Sequence, residues 1–87
     1  MTTIRPKYGH SLAGKVLEAI QSGRMPFFPA ARTSGGPGTG KSCAICGRAV
    51  QIDEMEYQLD FVKDATEWTL HTHVPCALVW ERELQPP

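Results

Sequence analysis

Four potential metal-binding side chains constrain this sequence more than any other feature. They form two pairs with the same two-residue spacer, Cys43-x2-Cys46 and His73-x2-Cys76, and 26 residues separate the pairs. A two-residue spacer lets both members of a pair reach one metal ion from a tight turn or from one helical turn. The pattern therefore predicts a closed tetrahedral site of three thiolates and one imidazole.

The metal expected at this site is zinc. The chain contains three cysteines, and all three belong to the pattern. An odd number of cysteines at metal-ligand spacing favours a metal over disulfides and indicates a reducing compartment, so we expect a cytoplasmic protein. Three sulfurs and one nitrogen favour zinc, although the sequence leaves iron open. We expect one structural zinc ion with four ligands: Cys43, Cys46, His73 and Cys76.

His71 is the alternative to His73 as the fourth ligand. It is separated from Cys76 by four residues instead of two. On an extended strand the two histidines share a face, so His71 is expected near the site even if it does not bind the metal. The shorter spacing favours His73.

The 87 residues allow one small domain, which needs a staple because so short a chain buries little apolar surface. We divide it into an N-terminal part, 1–42, and a zinc-binding domain, 43–87. In the first part, residues 1–10 lack periodicity. Ser11 is a suitable N-cap, and a helix is expected over 12–22. Its apolar stripe consists of Leu12, Val16, Ala19 and Ile20.

This helix is expected to dock through its stripe, either on the zinc module or on a partner. The stretch 29–42 is rich in Pro and Gly and predicts a flexible linker. Phe27 and Phe28, just before it, are expected to anchor the linker to the core.

The second part predicts a knuckle, a β-hairpin and a C-terminal helix. A short strand is expected at Val50–Ile52. Strand residues 55–61 alternate, which places Glu56 on the face opposite Leu59 and Phe61. A returning strand is expected over 67–71, and Val74–Pro75 begins a helix whose apolar positions are Cys76, Val79, Trp80 and Leu84.

This order of knuckle, hairpin and helix, with C-x2-C and H-x2-C ligand pairs, resembles the treble-clef class of zinc domains. Within that class, residues 42–84 resemble the PARP-type zinc finger most closely, and the overall layout is similar to small uncharacterised bacterial proteins. The resemblance implies a small α+β fold and a non-enzymatic zinc module. PARP-type fingers bind DNA ends through basic and apolar surface, whereas the matching region here is acidic.

Residues 35–42, GGPGTGKS, match the phosphate-binding pattern G-x4-G-K-[ST] literally. Phosphate binding requires a strand before such a loop and a helix after it. Here a Pro-rich segment precedes the loop and the Cys43–Cys46 turn follows it. We therefore expect a mobile tether that binds no nucleotide.

Charge is distributed unevenly although the total is zero. Residues 1–48 carry net charge +6 and residues 49–87 carry −6. The two halves are expected to attract each other, and the alternative is nucleic-acid binding through the basic half. The basic residues are scattered, namely Arg5, Lys7, Lys15, Arg24, Arg32, Lys41 and Arg48.

The leading functional prediction is a zinc-stapled protein-interaction module without catalytic activity, because four protein ligands leave a zinc ion no open position. Its partner, process and oligomeric state stay open. No apolar run is long enough for a membrane span, so no membrane contact is expected.

Overall fold

The structure, a computed structural model, describes residues 11–85. Two helices and three strands follow one another as α1 (Leu12–Gln21), β1 (Arg32–Pro37), β2 (Met55–Lys63), β3 (Thr66–His73) and α2 (Val74–Glu83). The strands form one antiparallel sheet in the order β1-β2-β3. The fold is therefore small α+β, and the expectations for residues 1–10, including Arg5 and Lys7, lie outside the described part of the chain.

Residues suited to helix capping lie at both ends of α1. The Ser11 side chain accepts a hydrogen bond from the Gly14 backbone N–H at 2.9 Å. At the other end Gly23 has a φ of +86°, a conformation that glycine adopts without steric cost. The helix is one residue shorter than the expected 12–22, because Ser22 is its C-cap.

α1 folds back onto α2, so residues from both sides of position 42 share one core. Val16 and Ala19 are fully buried, and Leu12 and Ile20 pack partly against the same cluster. Trp80 lies at the centre of this core, and its ring meets Phe61 edge to face at 5.8 Å. Its indole N–H also donates to the Pro26 carbonyl oxygen at 2.9 Å, which fixes the chain after α1.

The aromatic anchor is one residue, not two. Phe28 packs edge to face against Phe61 and Trp68, at centroid distances of 5.9 and 6.2 Å. The expectation for Phe27 is wrong, since 67% of its surface is exposed. Both residues lie in a bend after α1, and only Phe28 packs against the core.

β1 corrects the expectation that 29–42 is a flexible linker without regular structure. Arg32 to Pro37 pair with Asp60 to Met55 of β2 in continuous antiparallel register. Nearly every residue of β1 is exposed, so the sequence of this strand has no hydrophobic alternation from which it could be predicted. Its stability comes from the backbone ladder and from Tyr57, whose ring lies across Gly35 on the paired strand.

The alternation predicted for β2 holds at its centre but fails at its start. Leu59 and Phe61 are fully buried, as expected. Met55 is 58% exposed, however, and Glu56 is only 4% exposed. Glu56 is buried because distant parts of the chain cover its carboxylate and form hydrogen bonds with it. The alternation of residues along the strand does not predict such tertiary contacts. The short strand expected at Val50–Ile52 is also absent, since residues 51–54 form a turn.

Candidate metal centre

Cys43 and Cys46 lie in a tight turn that follows the β1 segment. The turn closes through two backbone hydrogen bonds, from Cys43 N–H to the Arg48 oxygen at 2.8 Å and from Gly47 N–H to the Cys43 oxygen at 2.9 Å. Gly47 takes a φ of +83°, which a residue with a side chain rarely adopts. This local geometry brings both sulfurs to the same side of the turn.

His73 and Cys76 come from the junction of β3 and α2. β3 ends at His73 and α2 begins at Val74, so no loop separates the two elements. Pro75 occupies the first turn of α2, where its missing N–H leaves no helical hydrogen bond unmade. Because Cys76 is one helical turn after His73, the two side chains face the same point.

The donor atoms of the four residues converge. One ligand atom from each of Cys43, Cys46, His73 and Cys76 lies within 4.8 Å of the other three, and the distance from Cys46 Sγ to His73 Nδ1 is 3.4 Å. Metal bonds of roughly 2.0–2.3 Å to nitrogen and sulfur give a tetrahedron with edges of roughly 3.3–3.8 Å. The distances and the chemistry of the donors are therefore compatible with one tetrahedral metal ion.

The site is shielded from solvent on most sides. Cys43, Cys76 and His73 are exposed by 2%, 5% and 8%, and Cys46 is intermediate. None of the three cysteines forms a disulfide. Neutral cysteines are commonly buried, so it is the convergence of the donor atoms and not their burial that indicates a metal site.

Cys43 is the best-supported thiolate of the three. The pKa of Cys43 is lowered, and the largest cause is a hydrogen bond with the Cys76 thiol. Burial acts in the opposite direction and raises the pKa. Hydrogen bonds from three backbone N–H groups lower it further. Those N–H groups, from Ile45, Cys46 and His73, lie 3.4–3.5 Å from Cys43 Sγ. The same hydrogen bond, together with burial, raises the pKa of Cys76. Metal binding to this set therefore releases protons.

The far side of the His73 ring contacts Glu54. Nε2 of His73 lies 3.3 Å from Glu54 Oε1, and the same oxygen accepts the backbone N–H of Gln51 at 2.8 Å. The Gln51 N–H is the largest cause that lowers the pKa of Glu54, with smaller contributions from His73 and Arg48. Spacing arguments did not identify Glu54, because it precedes β2 and lies 19 residues from His73 in sequence.

His71 is outside the converging group. Its Nδ1 lies 2.6 Å from Oε2 of the buried Glu56, whose other oxygen accepts two hydrogen bonds from Thr39, one from the backbone and one from the hydroxyl. Burial by itself would raise the pKa of Glu56. The hydrogen bonds from His71 and Thr39 have the larger combined effect, so the net pKa is lowered. The His71 carbonyl also accepts Ala44 N–H at 2.8 Å, which joins β3 to the cysteine turn.

A cleft of about 550 Å³ opens beside the donor atoms. Its apolar lining comes from Leu12, Met55 and Pro75, and its charged lining consists of two cations and one carboxylate: Lys15, Arg48 and Glu54. Cys46, His73 and Cys76 line it too, so the cleft borders the metal centre directly.

The first three residues of GGPGTGKS belong to β1, and the remainder is a hydrogen-bonded loop and not the expected mobile tether. Gly38 N–H donates to Glu54 O and Gly40 N–H to Val50 O, both at 2.8 Å, while Thr39 N–H donates to the Glu56 carboxylate. A Cβ at Gly38 would lie 1.9 Å from the Gln51 oxygen, which explains the glycine. These N–H groups face the protein, and no α-helix follows the loop before β2 in the described chain.

Two basic residues of the N-terminal half contact the rest of the chain. Arg32 Nε lies 3.1 Å from Asp60 Oδ2, an ion pair between the two halves of opposite charge. The Arg24 guanidinium donates to the carbonyl oxygens of Ala44 and Ile45 at 3.2 Å. Arg24 therefore supports the cysteine turn from outside.

Comparison of the chain with protein-family models, with curated proteins and with solved structures finds no match. Between residues 11 and 85, neither helix has the length and apolarity to cross a bilayer.

Proposed function

We propose that the chain is a zinc-stapled module of the treble-clef type, in which Cys43, Cys46, His73 and Cys76 hold one structural zinc ion. The observation that carries the proposal is the convergence of the four donor atoms within 4.8 Å. A bound zinc ion would cross-link the cysteine turn to the β3–α2 junction. Three sulfurs and one nitrogen suit zinc, and the sequence of cysteine turn, hairpin and helix supports the treble-clef assignment.

Elemental analysis of the purified chain tests this directly. We expect one zinc per chain in the wild type and a large loss of zinc in Cys76→Ser and His73→Asn. His71→Asn is the matched control, because it removes a neighbouring imidazole that lies outside the donor group. A metal-free wild type, iron in place of zinc, or zinc lost equally in both histidine variants would contradict the assignment.

The proposed role of the zinc is structural and the chain is proposed to be non-enzymatic. Four protein donors fill a tetrahedral zinc ion and leave no position for a reactive water. Glu54 and Glu56, the carboxylates nearest the two histidines, are each engaged by hydrogen bonds. This supports a module that acts by binding. The proposal of a cytoplasmic location rests separately on three cysteines at metal-ligand spacing, which favour a reducing compartment.

A protein partner is proposed at the cleft beside the metal centre. Its apolar wall includes Met55, which is 58% exposed, and Ile52 in the preceding turn is 81% exposed. Lys15 and Arg48 would pair with acidic groups of a peptide whose apolar side chain enters the cleft. Cross-linking with the wild type, Met55→Lys and the distant control Val62→Lys tests this surface. A partner lost only in Met55→Lys, at unchanged zinc content, supports it; equal capture by all three contradicts it.

Nucleic-acid binding through the basic half is the alternative function. Arg24 and Arg32 contact carbonyl and carboxylate oxygens of the chain itself, but only the charge of Arg32 is paired, and that ion pair is exposed. A gel shift over a range of salt concentrations distinguishes the alternatives, because phosphate contacts give a steep loss of affinity with salt. Nucleotide binding at GGPGTGKS is not proposed. Saturable ATP binding that disappears in Lys41→Ala would reverse that view.

A further inference from the structure

Glu54 occupies a defined position beside the proposed metal centre without belonging to the donor group. It ends the turn over residues 51–54, in which its own N–H donates to the Gln51 oxygen at 2.9 Å. The Gln51 N–H donates back to Glu54 Oε1 at 2.8 Å. These reciprocal hydrogen bonds restrict the carboxylate to one orientation before it meets any other residue.

The contacts on the two sides of the His73 ring favour one ring nitrogen as the site of its proton. Nδ1 faces Cys46 Sγ at 3.4 Å, on the side where the four donor atoms converge, and Nε2 faces Glu54 Oε1 at 3.3 Å. A carboxylate only accepts hydrogen bonds, so it favours the tautomer with the proton on Nε2. That tautomer leaves the Nδ1 lone pair directed toward the side where the three sulfurs converge.

We propose that Glu54 is a positioning residue for the metal centre, which holds the His73 imidazole as its Nε2–H tautomer with Nδ1 presented to zinc. The proposal rests on the zinc site proposed above. Carboxylates that accept the second N–H of a metal-binding imidazole fix the ring and raise its basicity, and their loss typically lowers metal affinity about 10- to 100-fold.

Two other roles for Glu54 predict different behaviour. As a direct ligand it would need to lie with the sulfurs, but its oxygen is on the opposite side of the imidazole ring. As a residue that only closes the 51–54 turn, it would affect folding without changing the protonation of His73. The state of the His73 ring therefore distinguishes a positioning role from a purely structural one.

The test compares zinc affinity, by competition with a chromophoric chelator, in the wild type, Glu54→Gln and Glu54→Ala. We expect Glu54→Ala to bind zinc about 10- to 100-fold more weakly. Glu54→Gln should lie between, because its amide oxygen still accepts both N–H groups but lacks the charge. Asp53→Ala is the matched control, since this neighbouring exposed carboxylate has no described contact with His73 and should leave the affinity unchanged.

Nitrogen-15 spectra of the His73 side chain, recorded on zinc-saturated protein, supply the second measurement. We expect a metal-bound Nδ1 and a slowly exchanging Nε2–H in the wild type, with faster exchange in Glu54→Ala. If zinc-loaded Glu54→Ala keeps the wild-type affinity and exchange rate, the positioning role is wrong and the zinc site stands. A metal-free wild type overturns both. Should Glu54→Ala fail to fold, Glu54→Gln with wild-type affinity and exchange would still contradict the role of the charge.

Discussion

Ala65 has a backbone conformation that its side chain disfavours. The hairpin between β2 and β3 turns through two residues, Asp64 and Ala65, with φ values of +53° and +68°. Two successive positive φ values are typical of the two-residue type I′ hairpin turn, for which Asn-Gly is a preferred sequence. A left-handed conformation costs a residue with a Cβ about 1–2 kcal/mol.

Ala65→Gly should therefore stabilise the protein, by up to about 1 kcal/mol once the greater freedom of glycine in the unfolded chain is included. The measurement is chemical denaturation of zinc-loaded protein. Gly36→Ala is the reverse control: its φ is not positive and a Cβ there meets open space, so alanine should stabilise the protein at that position by about 0.4–1 kcal/mol. A destabilised Ala65→Gly would show that the turn is held by a contact of Ala65 and not by backbone geometry.

Glu56 makes the stability of this protein sensitive to acid. Its pKa in the folded protein is lowered, so its contribution to stability is complete above the ordinary glutamate pKa and disappears as the pH falls through the lower, folded value. Glu56→Gln should lower the free energy of unfolding at neutral pH by about 1–3 kcal/mol, because buried hydrogen-bond partners lose a charged acceptor.

The difference between wild type and Glu56→Gln should shrink below about pH 4. Zinc is also released in acid, but both proteins lose that contribution, so the difference isolates Glu56. Glu67→Gln changes an exposed carboxylate of β3 and is the control. A difference that stays constant from neutral to acid pH would contradict the linkage to Glu56.

At the scale of elements, the apolar stripe of α1 correctly predicts which face of the helix packs against the core. The stripe predicted from helical spacing is the buried face, with Val16 and Ala19 fully buried against the core. Val16→Asp should destabilise the protein by about 3 kcal/mol or more, since it removes a buried side chain and introduces an unpaired charge. Its oligomeric state should not change.

Sedimentation and thermal unfolding of Val16→Asp check this prediction. Glu18→Asp places the same residue on the exposed side of the same helix and should be nearly neutral. An oligomeric wild type that Val16→Asp converts to a folded, zinc-loaded monomer would mean that α1 joins copies of the chain instead of packing on α2.

Elements with apolar periodicity were predictable from the sequence, whereas those stabilised by backbone contacts were not. β2 and β3 were expected from alternation, and α2 from Pro75 and the spacing of Cys76 and Trp80. β1 was missed because its side chains are exposed and contain no alternation. Ligand spacing placed the four donors together, but Glu54 and Glu56 depend on contacts across 15 or more residues, which no local pattern encodes.

At the scale of the whole molecule, the four donors join the cysteine turn to the β3–α2 junction inside the shared core. Cys43 and Cys76 belong to the same core cluster as Val16 and Trp80, so the proposed site is continuous with the packing of both helices. In a chain of 87 residues this core is small, and metal binding to such domains contributes roughly 10–16 kcal/mol of apparent free energy.

Removal of zinc by a strong chelator should therefore unfold the described chain cooperatively, α1 included, and collapse the dispersion of its amide spectrum. Readdition of zinc should restore the spectrum, which controls for damage by the chelator. A metal-free protein with an unchanged spectrum would show that the core folds without the metal.

Because no loop separates β3 from α2, an insertion at this junction would move a metal donor. His73 is the last residue of the strand and Val74 the first of the helix, so one inserted residue would rotate Cys76 by about 100° around the helix axis. The hairpin turn at Asp64–Ala65 lies at the other end of both strands and can absorb extra residues without moving a donor. Insertions introduced by evolution or by protein engineering should accumulate at that turn and be excluded from residues 73–76.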